Sequence, residues 1–334
     1  MAATMQDVAQ LAGVSVKTVS NVVNDYPYVR TETRERVMSA IADLGYQINA
    51  SARNLRRGRT GMIGLALPML SLPYFAELAE SVITAAEERG LVVIIEQTGS
   101  DRRRELDALH GARRAMTDGL IYSPLALGAE DEELLPTSSP LVLLGERIFS
   151  DRVDHVTMRN VEAAKAATEY LLGIGRRRIA VVGVHPGEVV GSAGLRLQGY
   201  EEALAEAGIE RDPALYGAVG PWGRANGAQA IGTMLDAGTV PDAVFGLNDT
   251  LALGAMHEMQ VRGLRVPEDV AVIGFDDIEE AQYSTPTLSS AHFDRDEVAR
   301  TALQLLEARF AARVPPEPRR VATEFRIVER GSTG

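Results

Sequence analysis

From Gly61 onward the sequence alternates short continuous apolar runs with amphipathic stretches, and it does so twice. GMIGLAL, LVVIIEQ, GLIYSP and LVLLG form a first series, and RIAVVGV, AVFGL and VAVIGF a second. Runs of Val, Ile and Leu without polar alternation suit strands buried on both faces, and intervening helices supply the cover, which is the signature of parallel sheets. Helices are predicted over about 73–89 and 102–116 in the first series, and over about 160–172, 192–207, 224–237 and 249–262 in the second. The two series share a layout without a close sequence repeat. The α/β fold expected is therefore two doubly wound parallel-sheet lobes. Ligands on such sheets bind at the carboxyl ends of the strands, so the cleft between the lobes is the default site.

The segments expected at that edge carry polar and aromatic residues. Tyr74 and Phe75 lie in MLSLPYF, Arg196 lies four residues before Tyr200 in HPGEVVGSAGLRLQGY, and Trp222 lies in GPWG. Asn248 and Asp249 lie in FGLNDT, and Asp276 and Asp277 in IGFDDIE. Aromatic faces stack on the C–H side of a sugar ring while Arg, Asn and Asp bond its hydroxyls, so this set points to a polyhydroxylated ligand. Taken singly, each residue reads as ordinary packing or a surface cation; their recurrence at successive loops on one edge favours a site. The lone Trp falls between glycines in a loop rather than inside an element.

The first sixty residues have a different character. Thr4–Asn24, TMQDVAQLAGVSVKTVSNVVN, reads as two short helices around a tight turn. Thr4 and Asp7 have capping-box spacing, Val8, Leu11 and Ala12 recur at helical intervals, and Gly13 suits a left-handed stop. Ser15 caps a second helix whose Val19, Val22 and Val23 point inward, while Ala9 is small where the two helices touch. That pattern fits a helix-turn-helix, with an ordinary helical hairpin as the plain alternative. A third helix is predicted over 29–45, with Thr31 as its cap, a Val37, Ile41 and Leu44 stripe, and Gly45 as its stop. NASARNLRRGRT follows, with Arg53, Arg56, Arg57 and Arg59. It reads as a solvated basic linker, or as a short helix that needs a partner to order.

With these residues in view, 4–60 resemble the DNA-binding head of the lactose-repressor family, including AGVSVKTVSNVVN and the N-A-x-A-R-x-L hinge. The resemblance implies that Val16, Lys17 and Asn21 read base edges. It implies that Ser15, Thr18, Ser20, Asn24, Thr33 and Tyr46 hold phosphates. Ala52, Arg53, Leu55 and Arg56 would form a minor-groove hinge, with Leu55 as the wedge. Many relatives carry Arg where this chain has Asn21, so the location of readout carries over and the operator does not. Residues 61–330 resemble the periplasmic-binding-protein-like body of the same repressors. The family's effector site would fall on Tyr74, Phe75, Arg196, Trp222, Asn248 and Asp276, with Arg and Asp as a polar clamp. Gly194 stands where many relatives carry a larger polar residue.

The resemblance implies a small all-α helix-turn-helix head at 1–47, a hinge helix and linker at 48–60, and an effector-binding and dimerisation body at 61–330. The first lobe would comprise about 61–159 and 292–319, and the second about 160–291 and 320–330, with one last strand near 320–328 returning to the second lobe. Partners expected are a palindromic double-stranded operator, a small-molecule effector with a sugar favoured over a nucleobase corepressor, and a second copy of the chain. A tetramer is left open.

Charge bears on these expectations. The net charge is -12, yet residues 1–60 hold eight basic and five acidic residues, a balance of +3, and the remainder holds 26 and 41, a balance of -15. Such asymmetry suits a DNA-touching module on an acidic body. Enzymatic alternatives find little support. His110, His155, His185, His257 and His292 lack metal-ligand spacing, adjacent carboxylates at 276 and 277 diverge in direction, and neither a P-loop nor a nucleophile elbow is present. No cofactor is expected. With no cysteine, no apolar run of spanning length and no basic-then-apolar start in MAATMQDVAQ, the expected location is cytoplasmic, without membrane contact. A secreted solute-binding protein is the rival for the body, and both that start and the attached head count against it.

Overall fold

A computed structural model describes residues 3–23, 26–46, 59–311 and 316–334. The chain separates into two compact units, residues 1–60 and 61–334.

The small unit contains α1 (Met5–Ala12), α2 (Val16–Val23) and α3 (Thr31–Asp43). Thr4 and Asp7 form the predicted reciprocal cap, with the Thr4 amide donating to Asp7 Oδ2 at 2.8 Å and the Asp7 amide to Thr4 Oγ1 at 3.3 Å. Gly13 takes a φ of 64°, where a side chain would be strained. Ser15 Oγ then accepts the Thr18 amide at 3.1 Å to start α2. Val8, Ala9, Ala12, Val19, Val22, Val37 and Ala40 form the core. Two sequence expectations change here. Leu11 is 55% exposed because the three-helix core closes on Val8 and Ala12 without it, and Leu44 likewise stays exposed. Arg30, not Thr31, is the residue before α3, and its side chain makes no capping bond.

The large unit holds two six-stranded sheets. The first comprises β1 (Met62–Leu67), β2 (Val92–Gln97), β3 (Gly119–Tyr122), β4 (Leu141–Leu144), β5 (Asp154–Met158) and β11 (Arg320–Thr323), in the order β11-β5-β4-β3-β1-β2. The second comprises β6 (Ile179–Val184), β7 (Tyr216–Ala218), β8 (Ala243–Gly246), β9 (Ala271–Asp276), β10 (Ser289–Phe293) and β12 (Phe325–Val328), in the order β12-β10-β9-β8-β6-β7. Every pairing is parallel except β10 with β12. In both sheets the order reverses beside the first strand, between β1 and β3 and between β6 and β8, which opens a crevice at the carboxyl ends.

Helices α4 (Pro73–Glu87) and α5 (Arg102–His110) accompany the first sheet. Helices α6 (Asn160–Gly173), α7 (Ser192–Glu206), α8 (Arg224–Asp236), α9 (Asp249–Val261) and the short α10 (Glu279–Tyr283) accompany the second. Helix α11 (Arg295–Ala311) crosses back to the first sheet, where Leu303 and Leu306 join the core with Val82 and Ile121. Glycines let helices meet backbone to backbone: a Cβ on Gly199 would lie 2.2 Å from the Val161 carbonyl, and one on Gly254 1.9 Å from that of Arg224.

Three features differ from the sequence expectation. The helix predicted to Met116 stops at His110, where the chain extends at Gly111 (ψ 174°) before a separate short turn at Arg114–Met116. Strand β2 is not covered on both faces, and Val92 and Ile95 face solvent. The last strand is two strands: β11 pairs with β5 in the first sheet, and only β12 joins the second, with Glu324 alone between them. Arg159 and Asp294 are the corresponding residues at the other two crossings, each standing alone between a strand of one sheet and the helix that follows. Among the described residues no helix is long and apolar enough to cross a membrane.

Candidate functional site

The six residues singled out in the body meet at one place. Tyr74, Phe75, Arg196, Trp222, Asn248 and Asp276 all line a single cavity of about 100 Å3 between the two sheets. Each follows a strand: Tyr74 and Phe75 open α4 after β1, Arg196 sits one turn into α7 after β6, and Trp222 lies between β7 and α8. Asn248 caps α9 after β8, and Asp276 ends β9.

Arg196 is the centre of the arrangement and is almost wholly buried. Its Nε donates to Asn160 Oδ1 at 2.7 Å, a terminal nitrogen donates to the Leu247 carbonyl, and the other reaches Asp276 Oδ1 at 3.4 Å. Its guanidinium carbon lies 3.6 Å from the Phe275 ring centroid and 5.4 Å from that of Trp222. A guanidinium sandwiched in this way loses freedom to move. Asp276 has a φ of 103° and Asp277 one of 53°, both uncommon for residues with a side chain. Burial pushes the Asp276 carboxyl up to about 6, against the pull of Arg196 and Arg295.

The expected divergence of the two carboxylates is visible. Asp276 faces Arg196, while Asp277 pairs with His292 Nδ1 at 2.9 Å and Arg330 at 2.7 Å. Although burial works the other way, His292 and Arg330 hold the Asp277 carboxyl below its ordinary range. Arg295 donates to the carbonyls of both residues, at 2.6 and 3.0 Å, which fixes the strained turn. Asp249 turns away from the cavity: its carboxylate accepts from Ser290 Oγ at 2.7 Å and from the Ile278 amide at 2.8 Å.

The remaining walls have defined roles. Trp222 is tethered by Nε1 to the Gly183 carbonyl at 2.9 Å, so its ring is set in place. Asn248 Oδ1 is occupied by the Leu251 amide and the Thr250 hydroxyl, both at 2.9 Å, and its amide nitrogen is what it can offer a ligand. Gly194 does not open a gap, because a Cβ there would lie 2.5 Å from the Glu188 carbonyl; backbone of the preceding loop fills that space.

Sequence reasoning missed Ser123, Glu146, Met158, Ser192 and Thr250, which also line the cavity. Ser123 directly follows β3 and Glu146 lies two residues past β4, so their position at strand ends was the available signal. Glu146 is buried, accepts the Met158 amide at 2.8 Å, and is pushed above its ordinary range by burial.

On the small unit, α2 presents Val16 and Lys17 to solvent, with Asn21 one turn on and half-buried. Ser15 is exposed and bonds Thr18 hydroxyl to hydroxyl at 2.9 Å; Ser20 and Thr33 are half-buried, and Tyr46 packs against the core. Asn24 and the hinge residues Ala52, Arg53, Leu55 and Arg56 lie outside the described residues.

Two family descriptions match the chain: bacterial regulatory proteins of the lacI family over residues 4–49, and the periplasmic binding protein-like domain over residues 168–333. The ribose operon repressor of Escherichia coli strain K12 is 33% identical over 333 residues, covering 99% of both chains. The chain belongs to the lacI family of bacterial transcriptional regulators. The transcriptional repressor PurR of Vibrio vulnificus is also 33% identical, over 91% of both chains. Among solved structures, a LacI-family regulator from Sanguibacter keddieii is 49% identical, with a TM-score of 0.77 over 83% of this chain and 100% of its own. The Lac repressor dimer bound to operator and the anti-inducer ONPF gives a TM-score of 0.84 at 28% identity, covering 100% of this chain and 99% of its own. A CelR–cellobiose complex gives 0.72 at 32% identity over 99% of both. Membership makes this chain a helix-turn-helix, DNA-binding repressor with a small-molecule effector, of the same two-part architecture as its relatives.

Proposed function

We propose that the effector is a sugar, gripped between the two sheets by Arg196, Asp276 and Asn248 and stacked on Trp222, and that its binding sets operator affinity. The observation that carries this reading is the buried Arg196–Asp276 clamp beside a fixed indole in one cavity. Charged forked groups bond vicinal hydroxyls, and the indole covers the ring's C–H face. A ligand changes operator affinity only by favouring one arrangement of the body over another.

On the DNA side, Val16, Lys17 and Asn21 read base edges; Ser15, Thr18, Ser20, Asn24, Thr33 and Tyr46 hold phosphates; Ala52, Arg53, Leu55 and Arg56 enter the minor groove. One recognition helix reads few base pairs, so the working unit is a homodimer on a palindromic operator. A protein that binds chromosomal operators acts in the cytoplasm, and the family assignment supports regulation rather than catalysis.

The test is a thermal-shift screen of sugars and nucleobases followed by titration of the hits against operator binding, since a ligand of the native state raises its melting temperature. A sugar hit lost in Arg196→Ala supports the proposal. Stabilisation by purine bases alone would replace the sugar with a nucleobase corepressor.

A further inference from the structure

The clamp cavity does not end at Trp222. A second chamber of about 600 Å3 adjoins it, and Phe75, Ser123, Glu146, Ser192 and Trp222 line both. The inner chamber alone is below the roughly 300 Å3 at which small-molecule sites begin, whereas the two joined fall inside their usual range. An engineered cavity of about 150 Å3 is filled by a ligand the size of benzene, so the smaller inner chamber suits the polar end of a sugar and not a whole two-ring ligand. The rest of the ligand extends past the indole.

The outer chamber is built rather than incidental. One wall is the loop after β3, including Pro124 and Leu125. It is pinned from behind by the buried Glu105, which accepts the amides of Leu125, Ala126 and Leu127 at 2.8–2.9 Å and the Tyr122 hydroxyl at 2.8 Å. The opposite side carries Arg147, His185 and Glu188. Glu188 Oε2 lies 3.3 Å from Arg147 and 3.0 Å from His185 Nδ1, and His185 Nε2 bonds the Gly220 carbonyl at 2.9 Å. Arg147 Nε is buried without a hydrogen-bond partner. Both imidazole nitrogens and one arm of the guanidinium are thus already committed within the protein. Glu146 and Glu188 add carboxylates to the same chamber, and Arg147 and His185 already pair with Glu188, which leaves little uncompensated positive charge for an anion such as a sugar phosphate. Apolar side chains facing polar ones suit a neutral ring with one C–H face and one hydroxyl edge.

We infer that the effector is a neutral carbohydrate of two sugar rings, its polar end held in the inner chamber and its second ring in the outer one. This rests on the sugar reading above. The experiment is calorimetric titration of the full-length chain with cellobiose, xylobiose and lactose, each against its component monosaccharides, with glucose 6-phosphate as the anionic probe. The expected result is at least one disaccharide binding tenfold or more tighter than either component. In Leu125→Trp, which fills the outer chamber, and Arg147→Ala, which removes a polar wall, the disaccharide-to-monosaccharide affinity ratio falls towards one. A melting temperature within a few degrees of the parent checks that each variant folds.

A monosaccharide binding as tightly as any disaccharide, with the ratio unmoved in both variants, overturns the two-ring inference and leaves the sugar effector standing. Tightest binding by glucose 6-phosphate overturns it too. Failure of every sugar, with stabilisation by a nucleobase, removes both readings together.

Discussion

Arg159 and Glu324 pair at 2.8 Å, and each is the single residue by which the chain passes between the two sheets at its crossing. Both side chains are well exposed, at 41% and 72%. An exposed pair of this kind contributes about 0–1 kcal/mol. The crossing is therefore held by covalent connection and strand pairing on either side of it, and the ion pair only trims its geometry.

Glu324→Gln should accordingly lower the stability of the body by less than about 1 kcal/mol, read from the urea midpoint at constant m. A loss above about 2 kcal/mol would mean that the pair itself secures the pivot.

Glu77 is a different kind of bridge. From α4 on the first lobe it accepts the Glu279 amide of the second at 2.9 Å and pairs with Arg295 at 2.7 Å. Glu77→Ala leaves Arg295 without its counter-ion and should cost about 1–3 kcal/mol. Because Arg295 also holds the Asp276 carbonyl, effector affinity should fall in the same variant. Stability lost with unchanged affinity would separate the bridge from the site.

Asp276 gives a pH signature. Its carboxyl is raised by burial from 3.8 to about 6, so between those values the folded state binds more protons than the unfolded one. Stability from this group is therefore highest in acid and declines as pH rises from about 4 to 6. Effector affinity should run the other way, weakening as pH drops through about 6 and Asp276 loses the charge that accepts hydroxyls. Asp276→Asn should flatten both profiles; calorimetry across pH 5–8 that shows the same slope in parent and variant would remove Asp276 from the clamp.

Val19 is fully buried where α1, α2 and α3 meet. Val19→Ala opens a cavity in a core of few residues and should cost roughly 1–3 kcal/mol of head stability. Operator binding should suffer while effector titration of the body does not change. Parallel loss of both would show that the two units do not fold independently.

Operator binding should weaken steeply with salt, with a log–log slope of roughly -5 to -9 if six to ten phosphates are neutralised by a dimer. A flat response would remove the phosphate assignments. In the same assay Leu55→Ala should reduce specific binding far more than nonspecific binding, and equal loss in both would rule out the wedge.

Much of the body was legible because its pattern is redundant. A strand buried on both faces leaves a continuous apolar run, and its end with the loop and helix start that follow lies at the ligand edge, so Tyr74, Arg196, Trp222, Asn248 and Asp276 could be named before any contact was known. Ser123 and Glu146 occupy equivalent places and were passed over because a serine and a glutamate carry no distinctive chemistry alone. The division of the last strand at Glu324 was unreadable, since neighbouring strands in different sheets look continuous in sequence. Glu105 was equally hidden: its four bonds are made to residues some twenty positions later, and nothing local marks a carboxylate that will be buried. The third helix begins one residue earlier than a Thr31 cap suggested, because Arg30 already has the extended geometry that precedes a helix.

Trp222 spends its only polar hydrogen on Gly183. What it presents to any guest is carbon alone, a surface that distinguishes flat from crowded but not one hydroxyl arrangement from another of equal bulk. For the sugar effector proposed above, stereochemical choice then resides in the polar groups of the same cavity, Arg196, Asn248 and Asp276. Re-engineering this repressor to answer a different epimer should begin with those three and leave the indole alone.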